Sequence, residues 1–391
     1  MPCYPRLSHA ADGLSANVYT SLLALAEQSG NELFALNVGD TYLEPPACGS
    51  VDGLARGRFA GMHRYAQVRG EPALLDAIVN DLERRGLPVA REQLQVTAGG
   101  TSALDLACRA LLEPGDEVIL LAPYWPLIRG IISACGAVAV ELPCFTALRE
   151  PGFDFRLALE AAVTVRTAAI YVNSPNNPTG MVLNAQEIAL LADFAASHGL
   201  WLLSDEAYER LHFGEPGPAV WQHEQLRERA VVVHTFSKSY ALAGARVAYL
   251  HGPPEALEAI AGLQTFATYC APRPLQIAAR NVLVEAEGEA FVERARTAYQ
   301  GAAERTARAL RQAAPAAGTF VFFDTRRFRR EGESAQALLE RAARAGVVLT
   351  PGTATGAAYA DWARLCFTSV APDALERALA ALERVLYADD R

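Results

Sequence analysis

The chain has 391 residues, 51% of them apolar and 20% charged, with a formal net charge of −9. That length exceeds one ordinary core and implies two domains, or one large and one small, with the composition of a globular enzyme. The charge is spread without a long single-sign run. The densest basic cluster, Arg326, Arg327, Arg329 and Arg330, is followed at once by Glu331 and Glu333, which reads as a solvated surface segment and gives no support to nucleic-acid binding.

Seven cysteines, Cys3, Cys48, Cys108, Cys135, Cys144, Cys270 and Cys366, are scattered and show no Cys-x-x-Cys pairing. Neither a disulfide frame nor a metal site is indicated. The opening Met-Pro-Cys-Tyr-Pro-Arg lacks the apolar run of a signal peptide, and no segment offers the ~18 uninterrupted apolar residues of a membrane span. A cytoplasmic protein with reduced thiols is the expectation.

In chain order, residues 1 to about 40 hold one helical stretch near Tyr19–Gln28 and an extended approach to Gly39. From about residue 94 to 250, short β-rich runs alternate with helical stretches. The runs are Leu94–Thr97, Glu117–Ala122, Ala137–Leu142, Ala168–Asn173, Trp201–Ser204, Val231–Thr235 and Arg246–Leu250, with the clearest helices at Thr101–Leu112 and Ala185–His198. Runs such as Ala-Val-Val-Val are apolar on both faces, as strands covered by helices on each side require. This predicts an α/β fold with a largely parallel seven-stranded sheet. The Pro/Gly-rich stretch Phe213–Pro218 reads as a loop. Long Ala/Glu/Arg helices follow near 275–313, 335–345 and 372–387, with strand candidates Thr319–Asp324, Gly346–Thr350 and Ala363–Thr368 between them. The expected organisation is a segment 1–40 that joins a small α+β domain, a large domain 41–275, and a C-terminal small-domain segment 276–391.

In an open α/β sheet, ligands sit beyond the carboxyl ends of the strands. After Leu94–Thr97 comes Ala98-Gly99-Gly100-Thr101-Ser102, a glycine turn feeding a helix. Such a start offers free N–H groups to a phosphate, although it is also simply how helices begin. After Glu117–Ala122 comes Pro123-Tyr124-Trp125-Pro126, an aromatic able to stack on a planar ring or merely to pack. Ala168–Asn173 leads into Ser174-Pro175-Asn176-Asn177-Pro178-Thr179-Gly180, for which a rigid turn is a sufficient explanation by itself. Trp201–Ser204 ends in Asp205-Glu206-Ala207-Tyr208, and Val231–Thr235 leads into Phe236-Ser237-Lys238-Ser239, with Arg246 eight residues beyond the lysine.

Lys238 is the single lysine beside 34 arginines. A lysine can lose its proton when desolvated and attack a carbonyl, whereas guanidinium effectively cannot. Together the strand ends supply an anion cradle, a stacking ring, a carboxylate, phenolate donors and an amine, the five parts that a phosphorylated pyridine aldehyde requires.

Ser-Pro-Asn-Asn-Pro-Thr-Gly, Ser-Asp-Glu-Ala-Tyr and Thr-Phe-Ser-Lys-Ser-Tyr-Ala-Leu-Ala-Gly-Ala-Arg resemble the class I/II, fold-type-I aminotransferases, and the resemblance runs from about Leu36 to Thr368. It implies pyridoxal phosphate as cofactor, held as a Schiff base on Lys238, which would also shuttle the proton. Asp205 would pair with the pyridine nitrogen, Tyr208 and Asn177 with the phenolate oxygen, and Trp125 would stack on the ring. Gly100, Thr101, Thr235, Ser237 and Arg246 resemble the phosphate contacts. Tyr65 matches a tyrosine reaching the neighbouring subunit's phosphate, which implies a homodimer with sites at the subunit interface. Arg364 matches the arginine that clamps the substrate carboxylate, and Gly39 matches the glycine that lines the substrate pocket. The stretch Thr265–Pro274 lacks the arginine of dicarboxylate-specific members, and Arg273 falls where a small polar residue is usual. A neutral or aromatic L-amino acid is therefore the expected donor to a 2-oxo acid. A lyase, decarboxylase or aminocyclopropane-carboxylate-synthase-like enzyme of the same fold is the alternative, the last faintly suggested by Trp362-x-Arg364-x-Cys366-Phe367.

Overall fold

The computed structural model describes residues 20–54 and 59–387; Cys3, the opening hexapeptide and Tyr19 lie outside them. The strands are β1 Phe34–Ala35, β2 Leu94–Thr97, β3 Glu117–Ala122, β4 Val138–Pro143, β5 Thr167–Asn173 and β6 Trp201–Asp205. They continue with β7 Ala230–Thr235, β8 Ala248–His251, β9 Phe320–Asp324, β10 Val347–Val348, β11 Thr350–Pro351 and β12 Trp362–Cys366.

Seven strands form the main sheet, in the order β2-β8-β7-β6-β5-β3-β4. All pairings are parallel except those of β8 with β2 and β7. Both faces are covered, and the period-two pattern sorts side chains cleanly between them. Ile119, Leu121, Ile170 and Val172 join Leu74, Ile78 and Phe194 in one core layer. Val118, Leu120, Ala169 and Tyr171 join Leu104, Ile132, Leu257 and Ile260 in the other. The helices Gly100–Leu111 and Pro254–Ala267 lie on this second face, and Pro72–Arg84 and Ala185–His198 on the first.

A second core gathers Leu22, Phe34 and Leu36 with Phe291, Tyr299, Phe320, Leu338, Val347, Leu365 and Leu382. It lies under the antiparallel sheet β11-β12-β9 and the parallel pair β1–β10. The N-terminal stretch therefore folds against elements some 300 residues away, and this brings Asn37–Gly39 to the edge of the main sheet.

Two expectations change here. The run Gly346–Thr350 is not one strand: Val347 and Val348 pair with Phe34 and Ala35, whereas Thr350 pairs with Arg364. The helix near 275–313 is two helices, Arg273–Val284 and Ala286–Ala309, broken where Glu285 takes an extended backbone. Their contact is tight, because a Cβ on Gly288 would overlap the Val282 carbonyl. Ala279 and Val282 of the first helix pack with Leu74 and Leu75, not with the second core.

Gly346 fixes the docking of the N-terminal stretch. Its φ is +88°, its carbonyl accepts the Phe34 N–H at 2.7 Å, and a Cβ would overlap the Glu32 carbonyl oxygen. Gly346→Ala should destabilise the protein by roughly 2–4 kcal/mol, through left-handed strain and the overlap together. Urea denaturation checks this, and protection of the 34–39 amides from hydrogen exchange should fall with it.

Candidate active site

The parallel strands β5, β6 and β7 present their C-terminal ends along one edge of the sheet. Because β8 runs the other way, Arg246, which precedes it, arrives at that same edge. A cavity of about 250 Å³ opens there, lined by Gly39, Gly100, Thr101, Trp125, Asn177, Asp205, Tyr208, Thr235, Ser237, Lys238, Arg246 and Arg364. Of the residues nominated from sequence only Tyr65 is outside the lining. It is 81% exposed and packs edge-on against Tyr269, with ring centroids 5.1 Å apart.

Lys238 sits in a single helical turn, Phe236–Ser239, that Thr235 caps by accepting the Ser237 N–H at 3.1 Å. The turn aims the amine back across the strand end, where Nζ donates to the carbonyl of Gly39. Desolvation pushes its pKa down; Cys366 and Asp40 oppose this, and the guanidiniums of Arg364 and Arg246 reinforce it. The result is an amine disposed to shed its proton.

Asp205 closes β6. Its Oδ2 accepts the hydroxyl of Tyr171 at 2.8 Å and its Oδ1 the Ala207 N–H at 3.2 Å. Burial raises its pKa to about 6, against the pull of the Tyr171 hydroxyl, the Ala207 N–H and His234. Asn173, which the sequence reading passed over, splints this corner. Its amide donates to the Asp205 carbonyl at 2.8 Å and its Oδ1 accepts the Asn177 N–H at 2.6 Å.

Arg364, on β12, is 3% exposed. It donates to Asn177 Oδ1 at 2.9 Å, to the Asn37 carbonyl at 2.8 Å and to Thr350 Oγ1 at 3.1 Å. Its guanidinium lies 4.3 Å over the Phe320 ring, and its Nε has no hydrogen-bond partner. Among the described residues no carboxylate ion-pairs with it. A buried cation with neutral partners and an unmet donor is a receptor for an anion. The Gly39 position has to be small, since a Cβ would come within 2.6 Å of Phe320 Cζ. Asn177 also donates to the Tyr208 hydroxyl at 3.4 Å.

At the other end of the cavity, Gly100 begins a twelve-residue helix whose first N–H groups have no acceptor within it. Around it stand the hydroxyls of Thr101, Thr235 and Ser237 and the Arg246 guanidinium, which packs so closely on Gly99 that a Cβ there would overlap it. Asn37, Val38, Leu127 and Phe320 also line the cavity. Of these, only Asn37, two residues before Gly39, carried a signal in its polar side chain amid an apolar stretch.

The fold and the cavity bring a helix start and a buried arginine together at one edge of the sheet. Residues 31–382 match the family described as aminotransferase class I and II. The aspartate/prephenate aminotransferase of Thermus thermophilus is 36% identical over 355 residues, 87% of this chain and 88% of that protein. The arginine–pyruvate transaminase AruH of Pseudomonas aeruginosa is 34% identical over 369 residues, 91% of each. A solved structure of a single mutant of Thermus thermophilus aspartate aminotransferase superposes with a TM-score of 0.88 at 32% identity, covering 98% of this chain and 100% of that one. The chain belongs to the class I and II aminotransferase family and is an aminotransferase. No helix among the described residues is long and apolar enough to cross a membrane.

Asp205 carries a stability consequence with a definite sign. Its folded pKa lies above the ordinary aspartate value, so ionising it disfavours the folded state as pH rises from about 4 to 6. In the cofactor-free protein, Asp205→Asn should raise stability by about 1–3 kcal/mol at pH 8. That gain should vanish as pH falls through 6 to 4. Urea midpoints at pH 8 and pH 4.5 read it out.

Proposed function

We propose that the chain is a pyridoxal-phosphate-dependent amino acid:2-oxo acid aminotransferase that prefers neutral or aromatic donors and works as a homodimer. The observation that carries this reading is the convergence, on one cavity, of the desolvated Lys238 amine, the buried Asp205 carboxylate and the counter-ion-free Arg364 guanidinium.

The donor set fits the cofactor. The start of helix Gly100–Leu111, with Thr101, Thr235, Ser237 and Arg246, suits a phosphate dianion. Trp125 offers a ring face, Asn177 and Tyr208 offer hydrogen bonds to a phenolate, and Asp205 offers a carboxylate to a pyridine nitrogen. Lys238 would attach the group covalently. When bound, the cofactor supplies an electron sink for the carbanion formed at the substrate Cα.

The chain's own residues supply the selectivity. Arg364 binds the substrate α-carboxylate through its forked donors and so decides which Cα bond is turned for cleavage. Lys238, with its pKa lowered by desolvation, is the base that takes the Cα proton. Tyr208, whose pKa is pushed up by burial, remains a protonated donor. Phe320 packs its ring against the guanidinium, and Gly39 leaves room for that ring.

The donor preference has its own support. Lys238, Arg246 and Arg364 are the cations of the cavity lining. Arg273 is already engaged, pairing with Glu71 at 2.9 Å and donating to the Gly61 carbonyl at 2.7 Å. The rim carries exposed Val38 and Leu127, which suit an apolar side chain. For the dimer, Tyr65 and Tyr269 pack together as an exposed aromatic pair, and Phe266, 94% accessible, is exposed three residues before Tyr269. Tyr65 would then serve the neighbouring subunit's phosphate. The two cores support a large domain from about residue 41 and a small one that joins 1–40 to the C-terminal part of the chain; the helix Arg273–Val284 packs in the large core, which moves the boundary expected at 275 beyond that helix.

The purified protein should be yellow, with a visible band that borohydride abolishes. Lys238→Ala should lose that covalent attachment. Arg364→Ala should keep the colour and lose roughly 10²–10³-fold in kcat/KM, since one buried charge-assisted pair is removed. Mixing the enzyme with single amino acids and no 2-oxo acid tests the donor class. Stoichiometric loss of the visible band with phenylalanine or methionine at concentrations where aspartate is inert is expected, and the reverse order would overturn the preference.

A further inference from the structure

Tyr171 lies within β5, and its hydroxyl ends on the one carboxylate at the floor of the cavity. The side chain is wholly buried and shares its sheet face with Leu120 and Leu203, its register partners on β3 and β6. Packing there is apolar, so a leucine or phenylalanine would satisfy it. A phenol in such a row needs a partner, and it has one: Asp205 Oδ2 at 2.8 Å.

The direction of that bond is fixed. Burial and the adjacent carboxylate push the Tyr171 pKa far above its ordinary value, so the hydroxyl stays a donor. With the Ala207 N–H on Oδ1, both oxygens of Asp205 are held from within the protein. The other ionisable groups around the pair are Glu206 on the same turn, His234 on β7 and Tyr208, with Cys108 of the helix Gly100–Leu111 facing Tyr171. Lys238, Arg246 and Arg364 share the cavity. Burial and Glu206 favour the neutral carboxyl; Tyr171, the Ala207 N–H and His234 favour the ionised one.

We propose that Tyr171 is a positioning residue for the transamination: its hydroxyl holds the Asp205 carboxylate ionised and aimed, so that Asp205 can keep a proton on the pyridine nitrogen of the cofactor. The inference rests on the pyridoxal-phosphate reading above. A charge-assisted hydrogen bond of this kind changes an equilibrium by about ten-fold or more. Its loss should therefore be felt in cofactor retention as well as in rate.

The test compares wild type with Tyr171→Phe, which removes a single oxygen from a filled core. Both proteins are loaded with pyridoxal phosphate labelled with ¹⁵N in the ring, and three quantities are followed. These are the ring-nitrogen chemical shift, retention of the visible band on dilution, and the pH dependence of kcat/KM. The expected result is a folded Y171F whose ring nitrogen moves toward the unprotonated position and which retains cofactor about ten-fold less well. The acid limb of its rate profile should move to higher pH, because Asp205 loses a bond that favours its ionised form. A folded, coloured Y171F with the wild-type ring-nitrogen signal and retention would overturn the proposal while leaving the cofactor assignment intact. A colourless wild type would overturn the cofactor assignment itself. Should Y171F not fold, Tyr171→Leu, which matches the neighbouring row, is measured in the same way. Failure of both to fold would assign Tyr171 to the core and end the proposal.

Discussion

Burying a guanidinium without a counter-ion is unfavourable by several kcal/mol unless its donors are met. The chain meets those of Arg364 with neutral oxygens drawn from three separate stretches: the Asn37 carbonyl, Asn177 Oδ1 and Thr350 Oγ1. The aromatic face of Phe320 covers the plane of the cation. None of these partners is close to Arg364 in sequence except Thr350, so the charge is tolerated only once both cores have formed and docked. The same partners leave its positive charge uncompensated. A carboxylate ligand would complete its donor set, as the proposed substrate-binding role requires.

The rest of the cavity follows the same logic at other sites. Lys238 is desolvated, which weakens its hold on a proton. Asp205 is buried and raised to about 6, yet propped toward ionisation by Tyr171 and a backbone N–H. Each group is held in a state that water would not favour, and each is supported by neighbours from a different strand. Rigid β-sheet ends make this possible, because they fix positions that loops alone would leave free.

Much of this was legible in the sequence, for identifiable reasons. Strands covered on both faces produce unbroken apolar runs, so β2, β3, β5, β6 and β7 could be read within a residue or two. The polar motifs that follow such runs fall at strand ends by construction, and so Asp205, Asn177, Lys238 and Trp125 could be nominated. What could not be read depends on partners distant in the chain. Val347–Val348 and Thr350–Pro351 look like one strand until their separate partners, β1 and β12, are known. The break at Glu285 is hidden because the residues on each side favour helix equally. Phe320 and Asn173 look like ordinary strand residues, and Tyr171 like one more apolar position, until the fold shows what their ends touch. Tyr65 stood out by motif, yet within one chain it faces outward.

Asn177 has a feature that reaches beyond its own contacts. A primary amide has one accepting end and one donating end, and Arg364 can only donate. The Asn177 oxygen is thereby pinned to the arginine and its nitrogen to the Tyr208 oxygen. The amide cannot reverse without setting donor against donor. It is a polarised link between Arg364 and Tyr208, the residues proposed above to take a carboxylate and a phenolate. Tyr208, already accepting from that link, has its own proton left to give. An isosteric aspartate would keep the shape and lose this one-way order, turning a relay of donors into a second anion beside the arginine.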